Sequence, residues 1–206
     1  MSLNQSGELK DVSRRAAIGA PAAMLLTTGT SACAAPTPTP ARVGSRTLVV
    51  YFTRSGNTRV IAGQLQRDLG ADLFEIAPAQ PYPEDCEATV EQARRERDSG
   101  FEPPLKANVP NLAAYGTIFL GFPIWGETAP PVIRSFLKAH DLSGKTVRPF
   151  ITHGGYGPGN SLSVLQGHTR NARFAEPFVI EADQERRTMN QVRQWLAISG
   201  QQAANR

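Results

Sequence analysis

Continuous apolar runs alternate with amphipathic segments along most of this chain, and this feature constrains the fold more than any other. Runs rich in Val, Ile, Leu and Phe, without polar alternation, predict strands that are buried on both faces. Strands of this kind, separated by amphipathic helices, predict an α/β domain in which helices cover both sides of a parallel sheet. The predicted strands are Thr47–Thr53, Asp72–Ala77, Thr117–Phe122, Thr146–Thr152 and Phe178–Ala182.

Apolar residues spaced three or four apart predict helices between the strands. The first helix, Asn57–Leu69, has Ile61, Leu65 and Leu69 on one face, and Gly70 stands where a helix ends. The others are Glu84–Asp98, one opened by Pro130 and Pro131 with Val132, Ile133, Phe136 and Leu137 buried, a short one around Asn160–Leu165, and a last one carrying Met189, Val192, Trp195 and Leu196.

Composition excludes several classes of protein. Hydrophobic residues make up 40% and charged residues 19% of the 206-residue chain, as in globular domains. The formal net charge is only +4, without a run of five like charges, which argues against a nucleic-acid partner. The sequence contains no apolar stretch near the roughly 20 residues that a membrane-spanning helix needs.

The N-terminal segment has the pattern of an export signal. Lys10, Arg14 and Arg15 precede a short apolar run, Ala16–Leu26, and small residues follow in Thr30–Ala35. A basic region, an apolar core and small residues, in this order, are typical of secretory signals. We therefore expect an exported protein, periplasmic or otherwise extracytoplasmic; the alternative is a disordered apolar tail on a cytosolic protein.

The same N-terminal segment also predicts the export route and the limits of the folded domain. Ser13-Arg14-Arg15 resembles a twin-arginine export signal. The alternating prolines that come later are typical of a polyproline-like spacer. We expect a signal peptide over residues 1–34, a Pro/Thr-rich linker over residues 35–45 and a folded domain over residues 46–200.

The two cysteines do not make a disulfide framework. Ala32-Cys33-Ala34 fits a cleavage site, whereas Thr30-Ser31-Ala32-Cys33 resembles a loose lipobox that would make Cys33 a lipid anchor on a membrane. Either outcome leaves Cys86 alone, on one helical stripe with Val90 and Ala93. We expect Cys86 to be a buried small hydrophobe; a redox role is the alternative.

The segment after the first strand has the composition of an anion site. It places three hydroxyls, an amide and a glycine directly before a helix, whose N-terminus offers unpaired N–H groups and partial positive charge. Such a site needs no metal, although an ordinary capped turn has a similar composition. The candidate residues are Thr53, Arg54, Ser55, Gly56, Asn57 and Thr58.

This segment also carries a family resemblance. It resembles the phosphate loop of the flavodoxin-like family, Thr/Ser-x-Ser/Thr-Gly-Asn-Thr, at each defining position. Two further loops, after the third and fourth strands, are similar to the segments that enclose the flavin ring of FMN in that family. The resemblance implies a doubly wound five-stranded sheet of order 2-1-3-4-5 and FMN as the cofactor. The implied ring-binding residues are Pro123, Ile124, Trp125, Gly126, Thr152, His153, Gly154, Gly155 and Tyr156.

Individual roles in these loops have alternatives. Trp125 offers a rigid π surface for stacking, although a tryptophan is often a core residue. His153 contacts the flavin, water or a substrate, or is a solvated surface group. Tyr156 is the only aromatic residue in a glycine-rich loop, which suggests a lid over one ring face.

The resemblance implies a redox protein that transfers electrons through bound flavin, which supplies the chemistry. Its partner is then a redox protein or a small-molecule acceptor, and no side chain stands out as a catalytic nucleophile or base. The alternative is an NAD(P)H-dependent quinone-type oxidoreductase. A third possibility is a flavin-free binding module on the same fold.

Overall fold

The computed structural model describes residues 46–181, 191–198 and 200. The predicted signal peptide, both alternatives for Cys33 and the whole predicted linker lie outside the described residues, as do Ala182 and Met189. None of the described helices is long and apolar enough to cross a membrane.

The described strands form one parallel sheet with helices on both faces, as the sequence predicts. Its order is β2-β1-β3-β4, followed by a fifth position that two short strands share, which confirms the order 2-1-3-4-5. The strands are β1 (Thr47–Tyr51), β2 (Asp72–Glu75), β3 (Thr117–Pro123), β4 (Thr146–His153), β5 (Arg173–Phe174) and β6 (Phe178–Glu181).

The fifth position is interrupted opposite a proline. β5 pairs with Thr146 and Val147, whereas β6 pairs with β4 only from Phe150 onward. Arg148 and Pro149 therefore face the break. Proline has no N–H to donate to a neighbouring strand, so the sheet accommodates Pro149 where the edge strand is interrupted.

Helices flank the sheet, and the sheet separates two cores. Alternate residues of β1 point to opposite faces: Leu48 and Val50 join a core with α3, and Val49 and Tyr51 join a second core with α1. The helices are α1 (Asn57–Leu69), α2 (Cys86–Ser99), α3 (Pro131–Ala139), α4 (Ser161–His168) and α5 (residues 191–198), with a 3-10 turn at Leu112–Ala114.

The prediction that Leu69 lies on the buried face of α1 is wrong. Ile61 and Leu65 are buried, but Leu69 is 39% exposed. Eight residues of helix turn about 80° past two full turns, so Leu69 lies well round the helix from Ile61. The helix ends at Gly70 in the left-handed conformation, as predicted.

The predicted buried stripe of α2 is wrong at Cys86 and Val90 and correct at Ala93. Cys86 is exposed and Val90 is 53% exposed, whereas the buried residues are Thr89, Ala93 and Glu96. The Thr89 hydroxyl donates to the Pro83 carbonyl at 2.7 Å, and Glu96 accepts a hydrogen bond from a distant tyrosine. These polar contacts determine which face of α2 turns inward, so the exposed Cys86 contradicts the expectation of a buried thiol.

Candidate functional site

The carboxyl ends of the three central strands converge on one edge of the sheet. β1, β3 and β4 are neighbours and run in parallel, so the segments that follow them meet. We call these segments the first loop (residues 53–58), the second loop (residues 124–130) and the third loop (residues 154–160).

The first loop leaves the positive end of α1 open. The Thr53 hydroxyl accepts a hydrogen bond from the Gly56 N–H at 3.0 Å, which closes a tight turn. Gly56 has φ 96°, a conformation that disfavours residues with a Cβ. α1 then begins without a side-chain cap and without an acidic residue in its first turn. Its N-terminus is therefore available to an anion from outside.

A buried hydrogen bond joins the first loop to the end of β4. The hydroxyls of Thr58 and Thr152 are 2.9 Å apart, and their residues are 1% and 3% exposed. The Ile124 N–H donates to the Thr152 carbonyl at 2.8 Å, which connects the second loop to the same point. Thr152 thus holds all three segments together.

Arg54 points away from the other first-loop residues. Its guanidinium lies 3.5 Å from the Glu84 carbonyl oxygen and 3.6 Å from the Cys86 sulfur, at the start of α2. Ser55, by contrast, is exposed in the loop itself.

The second loop contains a tight turn that presents Trp125. The Trp125 N–H donates to the Thr128 carbonyl at 3.0 Å, and Gly126 and Glu127 between them have φ 57° and 64°. Two consecutive positive φ angles are typical of a type I′ turn. Glu127 is strained there because residues with a Cβ disfavour this region.

Trp125 belongs partly to the core and partly to the site. Its indole contacts Phe52 and Tyr82 edge-to-face, with centroid distances of 5.2 and 4.9 Å. The residue remains half-buried. The indole is therefore held in place by other rings and still presents surface to a ligand.

Tyr82, in the segment before α2, supports this aromatic cluster and is itself held by a residue of that helix. Its hydroxyl donates to Glu96 Oε2 at 2.8 Å. Burial, with a smaller contribution from Glu96, raises the pKa of Tyr82 far above its usual range. Sequence reasoning did not assign Tyr82 to the site, although the Pro81-Tyr82-Pro83 turn was a signal for it.

Arg97 is a second residue that sequence reasoning missed. Its Nη1 atom would lie 2.5 Å from a Cβ on Gly126, so the guanidinium of α2 packs directly on the second-loop turn. A side chain at position 126 would require the Arg97 guanidinium to move, and no local pattern in the sequence of α2 indicates this contact.

The third loop is shaped by glycines and by His153. The Nδ1 atom of His153 accepts a hydrogen bond from the Gly155 N–H at 3.0 Å. Gly155 and Gly157 have φ 114° and 73°. Tyr156 is 87% exposed, so the structure places the proposed lid residue in solvent.

The third loop also docks on the second. The Asn160 N–H donates to the Glu127 carbonyl at 3.0 Å, and a Cβ on Gly159 would overlap that same oxygen. The turn carrying Trp125 is therefore held from the β4 side as well.

Comparison with known proteins identifies the family. The family model described as Flavodoxin matches residues 46–198, most of the chain. The chain belongs to the flavodoxin family. The search of the curated proteins gave no significant match.

Solved structures agree with this assignment. A candidate flavoprotein from Bacteroides eggerthii DSM 20697 is 34% identical and has a TM-score of 0.65, covering 75% of this chain and 98% of its own. Another, from Bacteroides uniformis ATCC 8492, is 30% identical with a TM-score of 0.66, covering 75% and 99%. A flavoprotein in complex with FMN from Lactobacillus acidophilus NCFM is 19% identical, covering 70% and 97%, and its TM-score of 0.55 shows a shared fold.

Proposed function

We propose that this flavodoxin-family chain binds FMN and transfers electrons through it. The observation that carries the proposal is the buried hydrogen bond of 2.9 Å between Thr58 and Thr152. It brings the open N-terminus of α1 and the two ring-facing loops to one edge of the sheet. The FMN complex of the Lactobacillus acidophilus flavoprotein, which has the same fold, supports the proposal.

The donors of the site fit a phosphate ester attached to a flat ring. Hydroxyls and backbone N–H groups stand at an uncapped helix end, where a dianion is stabilised without a metal. Thr128 Oγ1 is buried in the second loop without a partner in the described part of the chain, so a hydroxyl remains for a bound group. We assign phosphate binding to the first loop and ring binding to residues 123–126 and 152–156.

Bound FMN supplies one- and two-electron transfer, and the chain holds and orients it. The first loop fixes the phosphate end. Trp125, braced by Phe52 and Tyr82, offers an aromatic surface to the ring. His153 Nδ1 accepts a hydrogen bond from the Gly155 N–H. The other ring nitrogen, Nε2, is therefore the one left to interact with the bound group.

A titration of the FMN-free protein tests this proposal. We expect FMN to bind with one site per chain at micromolar concentration or below, with quenching of its fluorescence by the neighbouring tryptophan. Riboflavin should bind much more weakly because it lacks the phosphate that the first loop holds. A protein that takes up no FMN at micromolar concentration contradicts the proposal and favours a flavin-free binding module.

One observation favours a second candidate function, NAD(P)H-dependent reduction of a quinone-type acceptor. Tyr156 is 87% exposed, so the face that it would cover is open in this structure. Hydride transfer requires a nicotinamide to lie against the ring near van der Waals distance. A carrier needs no such open face.

Anaerobic stopped-flow mixing distinguishes the two functions. If the protein is a carrier, NADH and NADPH should leave the flavin absorbance unchanged, whereas a chemical one-electron donor should reduce the flavin reversibly. Bleaching within seconds would instead establish the reductase, and Tyr156→Ala should not accelerate it, because Tyr156 is already exposed. Gly154→Ala, in open space in the same loop, is the matched control.

We also propose, from the sequence alone, that the protein is exported by a twin-arginine route, with Cys33 either removed or lipidated. Its redox partner would then be an extracytoplasmic protein or small-molecule acceptor.

A further inference from the structure

A cavity of about 380 Å³ lies beside the first loop, on the side away from β3 and β4. It opens between the end of β1 and the segment that follows β2, and Phe52 and Thr53 line it. This places it next to the edge where the three loops converge, on the β2 side of the first loop. Its walls are largely apolar and comprise Phe52, Ile76, Tyr82, Pro78, Pro81 and Pro83.

Backbone hydrogen bonds hold the wall of this cavity that follows β2. The Ile76 N–H donates to the Tyr51 carbonyl at 2.7 Å, and the Lys106 N–H donates to the Ala77 carbonyl at 2.8 Å. The Ala79 N–H donates to the Pro104 carbonyl at 2.7 Å. With this wall held, proline rings beside it and the Tyr82 hydroxyl bonded to Glu96, part of the pocket is formed without a ligand, as is usual for binding sites.

One cation on the cavity lining lacks a carboxylate partner among the described residues. The Arg54 guanidinium contacts the Glu84 carbonyl oxygen at 3.5 Å and the Cys86 thiol at 3.6 Å. Glu75, on the same lining, is already compensated, because it pairs with Arg59 at 2.7 Å and accepts from the Tyr51 hydroxyl at 2.9 Å. Glu84 is exposed and lines the cavity beside Arg54.

We propose that this cavity binds a small aromatic carboxylate, separately from FMN. The flat apolar ring packs against the proline and aromatic walls, and the carboxylate pairs with Arg54 in a charge-assisted hydrogen bond. The solvated Glu84 carboxylate weakens this pairing without preventing it. This site goes beyond the proposed flavin function. It shares Thr53 and Arg54 with the first loop, but Arg54 points away from the other first-loop residues, and most of the remaining lining follows β2.

The probe is 2-naphthoate, and its neutral isostere 2-naphthamide is the control ligand. We expect naphthoate to shift the Ala77 and Glu84 amide resonances of the FMN-saturated protein saturably, with a dissociation constant of about 1 mM or lower. The same titration without FMN should give the same shifts, so its result is independent of whether the chain binds FMN. Competition between naphthoate and FMN would overturn the proposal.

Three variants test where the ligand binds and whether its negative charge pairs with Arg54. Arg54→Gln should weaken naphthoate binding about tenfold, and Glu84→Gln should strengthen it, whereas naphthamide should respond to neither. Ala77→Phe should block both ligands and leave FMN affinity unchanged. If the charge variants have no effect or the opposite effects, or if Ala77→Phe still binds naphthoate, the proposal is wrong. If Ala77→Phe does not fold, the two surface charge variants decide.

Discussion

Replacing Ser55 by alanine is expected to weaken FMN binding by about 1.5–3 kcal/mol and to leave riboflavin binding nearly unchanged. Hydrogen bonds to charged groups have about this strength, and the exposed Ser55 hydroxyl lies in the first loop, beside the open end of α1. Titrations of the FMN-free variant with both flavins measure the effect. Equal losses for the two ligands would show that Ser55 shapes the loop and does not bind phosphate.

Thr58→Ala should behave differently, although both positions belong to one motif. Its hydroxyl is buried against Thr152, so its removal leaves a buried hydroxyl unsatisfied and lowers the free energy of unfolding by about 1–3 kcal/mol. Because Thr152 also holds the second loop, binding of both flavins should decrease. Thr58→Ser keeps the hydroxyl and should restore most of the stability, which urea unfolding would measure.

The main features of the fold could be predicted because they depend on local sequence. Strands buried on both faces need continuous apolar residues, and the run from Thr47 to Tyr51 has no polar interruption. The limits of α1 are also local, since Gly56 and Gly70 take left-handed conformations at its two ends. The prediction for α1 was therefore correct at both ends.

The face of α2 could not be predicted in this way. An apolar stripe with Cys86 and Val90 suggested one orientation, but the buried residues Thr89, Ala93 and Glu96 lie about 60° round the helix from it. Glu96 is buried because Tyr82 donates to one of its carboxylate oxygens and Gln92 to the other, at 2.8 Å each. Tyr82 lies 14 residues earlier in the chain, and periodicity within the helix carries no information about such a partner.

The candidate site likewise has one part that local sequence predicts and one part that depends on contacts distant in sequence. The first loop was recognisable because its hydroxyls, glycine and helix start are consecutive in the sequence. The contacts that support the second loop are distant in sequence, since Arg97 packs on Gly126 and Gly159 packs on Glu127. A glycine required by a distant neighbour looks the same in the sequence as a glycine in an open turn.

Gly159→Ala is expected to have the largest effect of any single change considered for the loops. The new methyl group would overlap the Glu127 carbonyl oxygen, which is backbone and has little freedom to move. Gly159 also has φ 52°, where a residue with a Cβ costs about 1–2 kcal/mol. With the cost of overpacking added, we expect a loss of about 2–5 kcal/mol in the free energy of unfolding, measured by urea denaturation.

Gly157→Ala is the control that separates the cost of the contact at Gly159 from the cost of the left-handed backbone conformation. Gly157 has φ 73° but open space around its Cα, so alanine there should cost only the conformational part, about 1–2 kcal/mol. Because the docked third loop supports the turn that carries Trp125, Gly159→Ala should weaken FMN and riboflavin binding alike. That loss of both ligands is the reverse of the selectivity expected for Ser55→Ala. Equal destabilisation by the two glycine variants would contradict the contact between the loops, because the shared left-handed conformation would then account for the whole effect.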